Sequence, residues 1–272
     1  NGFETFSKSD FVHVNENMVI DFTWETAFED YDYEAPVKLF MNNLTQNAIS
    51  YQWSFPGGNP LSETDVNPSV IYSQPGIYTI SLTVSNGKTT QTVNKQVTVH
   101  PDSGIYILEN LKLGVNAAHN ANNVGAFYST KLRRSFTANE VNVSTGSDID
   151  IAFQSQNNTF GFNKFISPVN VDQYGFAAIP SAQQTLFINS QSVCNCGLNF
   201  TEAQFDAMVN ETPLQNLSIP NSVAGQQQFG NQLPRIVLFK TQDGRKGAIK
   251  IKQFVSGALN QSYILCDIKV QK

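Results

Sequence analysis

Hydrophobic and polar residues alternate with a period of two along several stretches of this chain. The first such run sets Ile20, Phe22, Trp24, Thr26 and Phe28 against Asp21, Thr23 and Glu25. Successive strand side chains point to opposite faces, so the run predicts an opening strand with Trp24 on its inward face, in the core rather than as a ligand platform. Tyr51, Trp53 and Phe55 alternate with Gln52 and Ser54 until Pro56-Gly57-Gly58 stops the strand. Val70 and Tyr72 precede the turn pair Pro75-Gly76, after which Tyr78, Ile80, Leu82 and Val84 alternate with Thr79, Ser81 and Thr83. Asn86-Gly87 carries the two-residue hairpin signature, and Val93, Val97 and Val99 mark a last strand that ends at His100-Pro101.

The stretch from Tyr51 to Val84, with its W-x-F-P-G-G turn and its aromatic and aliphatic alternation, resembles the polycystic kidney disease (PKD) domain. The upstream segment APVKLFMNNLTQNA is similar to that family's second strand and the loop after it. The resemblance implies an immunoglobulin-like β-sandwich, used in extracellular and bacterial surface proteins as a binding or spacer unit. Many PKD domains carry W-D-F-G-D-G where this chain has Trp53-Ser54-Phe55-Pro56-Gly57-Gly58, so both acidic positions are absent and no cation site on those carboxylates is implied. The W-x-F-P-G-G-x-P form resembles a variant common in secreted and surface proteins of gut-type Gram-negative anaerobes.

Pro101 to Ser103 marks a boundary, because one strand pattern ends there and a new apolar segment starts at Ile105. The expected organisation is an N-terminal arm over 1–20, a PKD-like sandwich over 21–101 and a larger β-rich α+β domain over 102–272, giving a mainly β protein. In the last part, strand-like segments fall at Tyr106 to Leu113, Gly125 to Thr130, Ile149 to Gln154, Thr159 to Ile166 and Thr185 to Ile188. Arg235 to Thr241, Gly247 to Lys252 and Tyr263 to Val270 then read as closing strands. Thr137-Ala138-Asn139-Glu140 and Thr201-Glu202-Ala203-Gln204 match the capping box and predict two short helices. The phrases GAFYSTKLRR, DIDIAF, FNKFISP, KGAIKIKQFV and SYILCDIKVQK resemble uncharacterised C-terminal regions that follow PKD modules in bacterial surface proteins.

Charged residues make up only 14% of the chain, beside 20 Phe and 17 Gly, which fits a β-rich secreted protein better than a cytosolic helical enzyme. The net charge of −5 is uneven, since residues 1–100 hold 11 acidic and 4 basic side chains. The densest basic run, Lys240, Arg245, Lys246, Lys250 and Lys252, spans one hairpin and reads as its solvated outer face, so nucleic acid is not an expected partner. No apolar run is long enough for a transmembrane segment. The chain begins at Asn1 without Met and reads as a mature product from which an export signal has been removed, compatible with a lipid anchor outside the sequence in hand. The expected location is the bacterial cell envelope, at the outer surface or secreted. Three cysteines cannot form a complete disulfide framework; Cys266 reads as a buried core residue, and Cys194-Asn195-Cys196 with three scattered histidines supplies no metal site.

Candidate chemistry is sparse. Glu29-Asp30-Tyr31-Asp32-Tyr33-Glu34 interleaves acids with tyrosines, and Tyr31 and Tyr33 are candidates to stack on a sugar ring beside carboxylates able to hold a cation. The stretch from Asn116 to Asn123 reads as a long flexible loop in which His119 and the asparagines could bond sugar hydroxyls. No G-x-S-x-G elbow, H-E-x-x-H pair or phosphate-cradling glycine loop occurs, and nothing asks for a cofactor. Asp148 and Asp150 are the nearest approach to a glycosidase pair, but at the start of a strand they read as its polar outer face. The expectation is a non-catalytic surface binding or adhesion protein whose partner is a glycan or another surface protein. In that reading the sandwich is a spacer or docking unit and the larger domain carries the contact surface. The alternatives are a carbohydrate-active or peptide-active enzyme with an accessory PKD domain, and a structural envelope component.

Overall fold

The computed structural model describes residues 3, 5, 17–156, 163–194, 196–220, 228, 229 and 232–272. The protein is mainly β, with antiparallel sheets throughout. It divides into two compact units, Asn1–Asp102 and Ser103–Lys272. Among the described residues no helix is long and apolar enough to cross a membrane.

The N-terminal unit runs through β1 (Phe22–Thr26), β2 (Val37–Asn43), β3 (Ser50–Ser54), β4 (Ser62–Glu63), β5 (Ser69–Tyr72), β6 (Gly76–Ser85) and β7 (Thr90–Val99). Two sheets form, ordered β1-β2-β5 and β4-β3-β6-β7, so β1 and β7 are edge strands. The inward set named by the alternation meets between them: Phe22, Trp53, Phe55, Val70, Tyr72, Ile80, Leu82, Val97 and Val99 share one core with Met18. Trp53 lies at its centre, with the Phe22 ring edge-on at 5.1 Å and the Phe55 ring stacked at 6.0 Å. Its indole N–H, the one polar atom of that side chain, donates to the Asp65 carbonyl at 3.0 Å, so the tryptophan is buried with its donor satisfied. The Pro56-Gly57-Gly58 turn is also set by packing. Gly57 has φ +81, and a Cβ on Gly58 would sit 2.4 Å from a Val70 methyl, so both positions need glycine.

The C-terminal unit is layered. Its larger sheet is ordered β13 (Leu186–Ile188), β14 (Arg235–Lys240), β15 (Lys246–Val255), β16 (Tyr263–Gln271) and β8 (Ile105–Gly114). A smaller sheet has the order β10 (Arg134–Phe136), β9 (Phe127–Ser129), β11 (Ile151–Gln154) and β12 (Lys164–Ile166). Residues 236–239 of β14 are buried on both faces. Val237 and Phe239 pack with Tyr128, Phe153 and Phe165 of the smaller sheet, whereas Ile236 and Leu238 pack with Phe205, Met208 and Leu214. Those last three belong to α3 (Glu202–Ala207), its C-terminal flank and α4 (Thr212–Gln215). A strand covered on both faces loses period-two alternation and reads as a continuous apolar run, as RIVLF does.

The local signals have mixed outcomes. Thr201 caps α3 through a capping box with Gln204, but the equivalent box at Thr137 closes only one 3-10 turn, Ala138–Glu140. The Asn-rich stretch expected as a flexible loop is instead helical over α1 (Asn116–Asn120). Its asparagines tie the segment down: the Asn116 amide donates to the Tyr174 carbonyl at 2.6 Å and accepts from Ser155 N–H, and Asn123 donates to the Asn260 carbonyl at 2.8 Å. Of the strand expected over Thr159 to Ile166, residues 159–162 lie outside the described residues, as does most of the expected arm.

Replacing Trp53 by Ala is expected to destabilise the N-terminal unit by about 3–5 kcal/mol through lost burial and the cavity left behind. Ile77→Ala, at a 70% exposed position on β6, is expected to cost less than about 0.5 kcal/mol. Urea denaturation of the two variants checks both figures, and similar midpoints would show that Trp53 is not the centre of the core.

Candidate functional site

Along one side of the N-terminal sandwich lies a hollow of about 250 Å³ lined by Trp24, Tyr33, Gln96, Val97, Thr98 and His100. Trp24 reaches it from β1, which pairs with β2 so that Trp24 lies opposite Met41. Phe22 and Trp24 share a strand face, yet Phe22 is fully buried and Trp24 only half-buried. Gln96, Val97 and Thr98 come from β7, an edge strand of the other sheet, and the Lys95 ammonium pairs with Asp21 at 2.7 Å and bonds the Phe22 carbonyl. Tyr33 and His100 are placed by backbone hydrogen bonds: His100 N–H donates to the Tyr33 carbonyl at 2.8 Å, and Ala35 N–H donates to the His100 carbonyl at 2.9 Å. Tyr33 has φ 56, which turns the chain from the preceding 3-10 turn, Phe28–Asp30, towards β2.

None of the polar side-chain atoms of Trp24, Tyr33, Gln96, Thr98 and His100 is hydrogen-bonded to another described residue. The hollow thus combines two half-buried aromatic rings with unspent donors and acceptors. Rings of this kind cover the C–H face of a flat, hydroxylated ligand, while the amide, hydroxyl and imidazole meet its polar rim.

The sequence candidates separate. Tyr33 lines the hollow. Tyr31 does not; it is 61% exposed and packs edge-on against Phe28 at 5.4 Å. The acids beside it cap their own loop, with Asp30 accepting from Lys38 N–H and Asp32 from Glu34 N–H. Among the described residues no group of three or more His, Cys, Asp or Glu side chains is placed to hold a metal ion. The reading of His119 as a ligand contact is corrected by its burial. It is 2% exposed on α1, lies against the Phe127 and Phe176 rings at 4.2 and 5.1 Å, and accepts from Ala126 N–H at Nδ1. Trp24, expected in the core, packs against it beside Phe22 and, being only half-buried, also lines the hollow.

Several charges in the C-terminal unit are spent on one another. Asp150 is buried before β11 rather than on a polar outer face. It accepts from Thr130 N–H at 3.0 Å and from the Thr130 hydroxyl, and pairs with Arg245 at 3.1 Å. Arg245 also holds Asp243 at 3.0 Å, which Lys131 approaches to 3.0 Å. Burial pushes the Asp150 carboxyl above its ordinary value, against the hydrogen bonds of Thr130 and the charge of Arg245. Burial raises Asp243 as well, but bonds from Thr241, Lys131 and Arg245 outweigh it and hold that carboxyl low. The space beside these groups is about 70 Å³, room for water but not for a saccharide ring. The basic run is likewise not a free cationic face: Lys250 pairs with Glu202 and Asp206, and Lys252 with Asp267. Cys194 and Cys196 form a disulfide, which the odd cysteine count concealed, and Cys266 is buried.

Residues 33–99 match the family model described as PKD domain, so this segment is a PKD domain, a class found in extracellular and surface proteins. A solved structure similar to the chain is the crystal structure of the PKD1 domain of Vibrio anguillarum Epp, at 26% identity and a TM-score of 0.26. That match covers 33% of this chain and 100% of the other. No curated protein matches the chain.

Burial brings the His119 pKa from 6.5 down to about 4, against the Phe136 backbone hydrogen bond and the Glu140 charge, which raise it. A folded pKa below the unfolded one means that the stabilisation is complete above pH 6.5 and is lost as pH falls towards 4. This gap corresponds to about 3 kcal/mol. Denaturation at a series of pH values should show this loss in the native chain and a flatter profile in His119→Gln. An unchanged profile in the variant would assign the loss to other groups.

Proposed function

We propose that this chain is a non-catalytic binding protein of the bacterial cell surface, and that the Trp24–Tyr33 hollow on its PKD-containing unit receives a neutral glycan. The observation that carries the reading is the pairing of two half-buried rings with side chains that have no hydrogen-bond partner among the described residues. A sugar ring has an apolar face and a hydroxylated rim, and it would meet both parts of this wall. The contact is thereby assigned to the sandwich rather than to the larger unit. There the nearest carboxylates, Asp150 and Asp243, are held by Arg245 beside a cavity too small for a ring, which supports binding rather than hydrolysis. The surface location rests on the PKD domain and on the W-x-F-P-G-G form that resembles exported bacterial proteins.

A glycan-array screen of the whole chain, followed by titration of the strongest neutral hit, tests the proposal. The chain has two tryptophans, and Trp53 is fully buried, so a change in tryptophan emission on binding reports Trp24. Trp24→Ala and Tyr33→Ala are each expected to weaken binding about tenfold, in line with ring contacts of about 1 kcal/mol or slightly more. A silent array, or a hit indifferent to both substitutions, would remove the hollow as the site.

A further inference from the structure

The C-terminal unit has a separate hollow of about 290 Å³ between the start of α2 (Gln191–Cys194), the approach to α3 and the start of β14. Arg235 lines it, and its guanidinium stands 5.7 Å from the Phe229 ring centroid. No described residue accepts a hydrogen bond from this guanidinium or forms an ion pair with it, and its Nε is buried without a partner. Other cations of this unit contrast with it. Arg134 meets Glu140, Arg245 meets Asp150 and Asp243, and Lys250 meets Glu202 and Asp206.

At the Nε the guanidinium has lost water without gaining an acceptor, which is unfavourable in the free protein, and an anion supplied from outside removes the deficit. Burial lowers the Arg235 pKa, in keeping with the lack of a counter-ion among the described residues. Among the described residues Glu202 is the one acid on the wall, and Lys250 neutralises it at 2.7 Å. The uncompensated charge of the hollow is therefore that of Arg235.

The rest of the wall narrows the ligand. Asn199 and Gln232 make no side-chain hydrogen bond to a described residue, and Ser192 has only a long contact to Ser190 at 3.4 Å. The loop that carries Asn199 is held in place, because the Gln191 amide both accepts from Phe200 N–H at 2.6 Å and donates to its carbonyl at 2.9 Å. Neutral hydroxyl and amide groups around one cation suit a monoanion with hydroxyls. The volume, at the lower end of the range for ligand sites of about 300–1,000 Å³, suits one ring rather than an extended chain.

We propose that this hollow binds a carboxylated sugar unit of the uronic acid type, its carboxylate on the Arg235 guanidinium and its hydroxyls on Ser192, Asn199 and Gln232. The site is independent of the Trp24 hollow, so either can fail alone. The test is calorimetric titration of the full chain with sodium glucuronate, galacturonate and mannuronate, with glucose and sodium acetate as controls. At least one uronate is expected to bind saturably, more than tenfold tighter than glucose or acetate. Arg235→Gln should weaken it at least tenfold, Arg235→Lys less, and Trp24→Ala not at all. Asn199 is exposed, so Asn199→Ala leaves the fold intact and should still weaken binding severalfold should the arginine variants fail to fold. Silence with all three uronates, an equal response to acetate, or binding that survives both Arg235→Gln and Asn199→Ala would overturn the proposal.

Discussion

Trp53 fills the space between the two sheets of the N-terminal unit, and the geometry of everything outside it follows from that wedge. The indole is packed by Phe22 from the other sheet and by Phe55 just past the end of its own strand, with its single donor given to the Asp65 carbonyl. The two sheets end in edge strands, β1 in one and β7 in the other. Lys95 reaches from β7 to Asp21 and the Phe22 carbonyl at one such edge, and beyond it the inward-facing Trp24 is only half covered. The aromatic hollow is thus a by-product of how a sandwich ends. Its residues are carried on paired strands and on the backbone hydrogen bonds that join Tyr33 and Ala35 to His100, so little ordering is needed when a ligand arrives.

The C-terminal unit solves a different problem, because β14 of its larger sheet is buried on both faces and its loops bring charges close to apolar layers. Those charges are neutralised locally. Asp150, Arg245, Asp243 and Lys131 form one chain of pairs, and the Lys269 ammonium is taken up by the carbonyls of Phe205 and Met208. A buried charge without a partner is far more costly than a surface one, so such networks are expected wherever a charge is retained. Arg235 departs from this rule, and the departure directs attention to the hollow it lines.

Much of the sandwich is legible in the sequence, since burial of a strand face is written locally as alternation. Trp53, Phe55, Val70, Tyr72, Ile80 and Leu82 are recognisable as inward residues before any coordinates are known, and the turns at Gly57-Gly58 and Asn86-Gly87 punctuate them. The larger sheet of the second unit is partly legible for the same reason. The five-residue α1 and the three-residue β10 are not, because neither is long enough to show a period, and α1 is held by distant partners, Tyr174 and Ser155 for Asn116.

The sites follow the same division. Composition and spacing mark Tyr33 as an aromatic in a polar loop, but give Tyr31 and His119 the same standing, though one stands off the hollow and the other is a core residue between two phenylalanines. Asp150 reads as a surface residue until Arg245, 95 positions away, is placed against it. The sequence by itself determined which residues face inward along each strand and where the chain turns, because those are properties of neighbouring residues. Only the tertiary structure decided which inward rings stay uncovered and which charges find partners, because coverage and pairing depend on segments far apart in the chain.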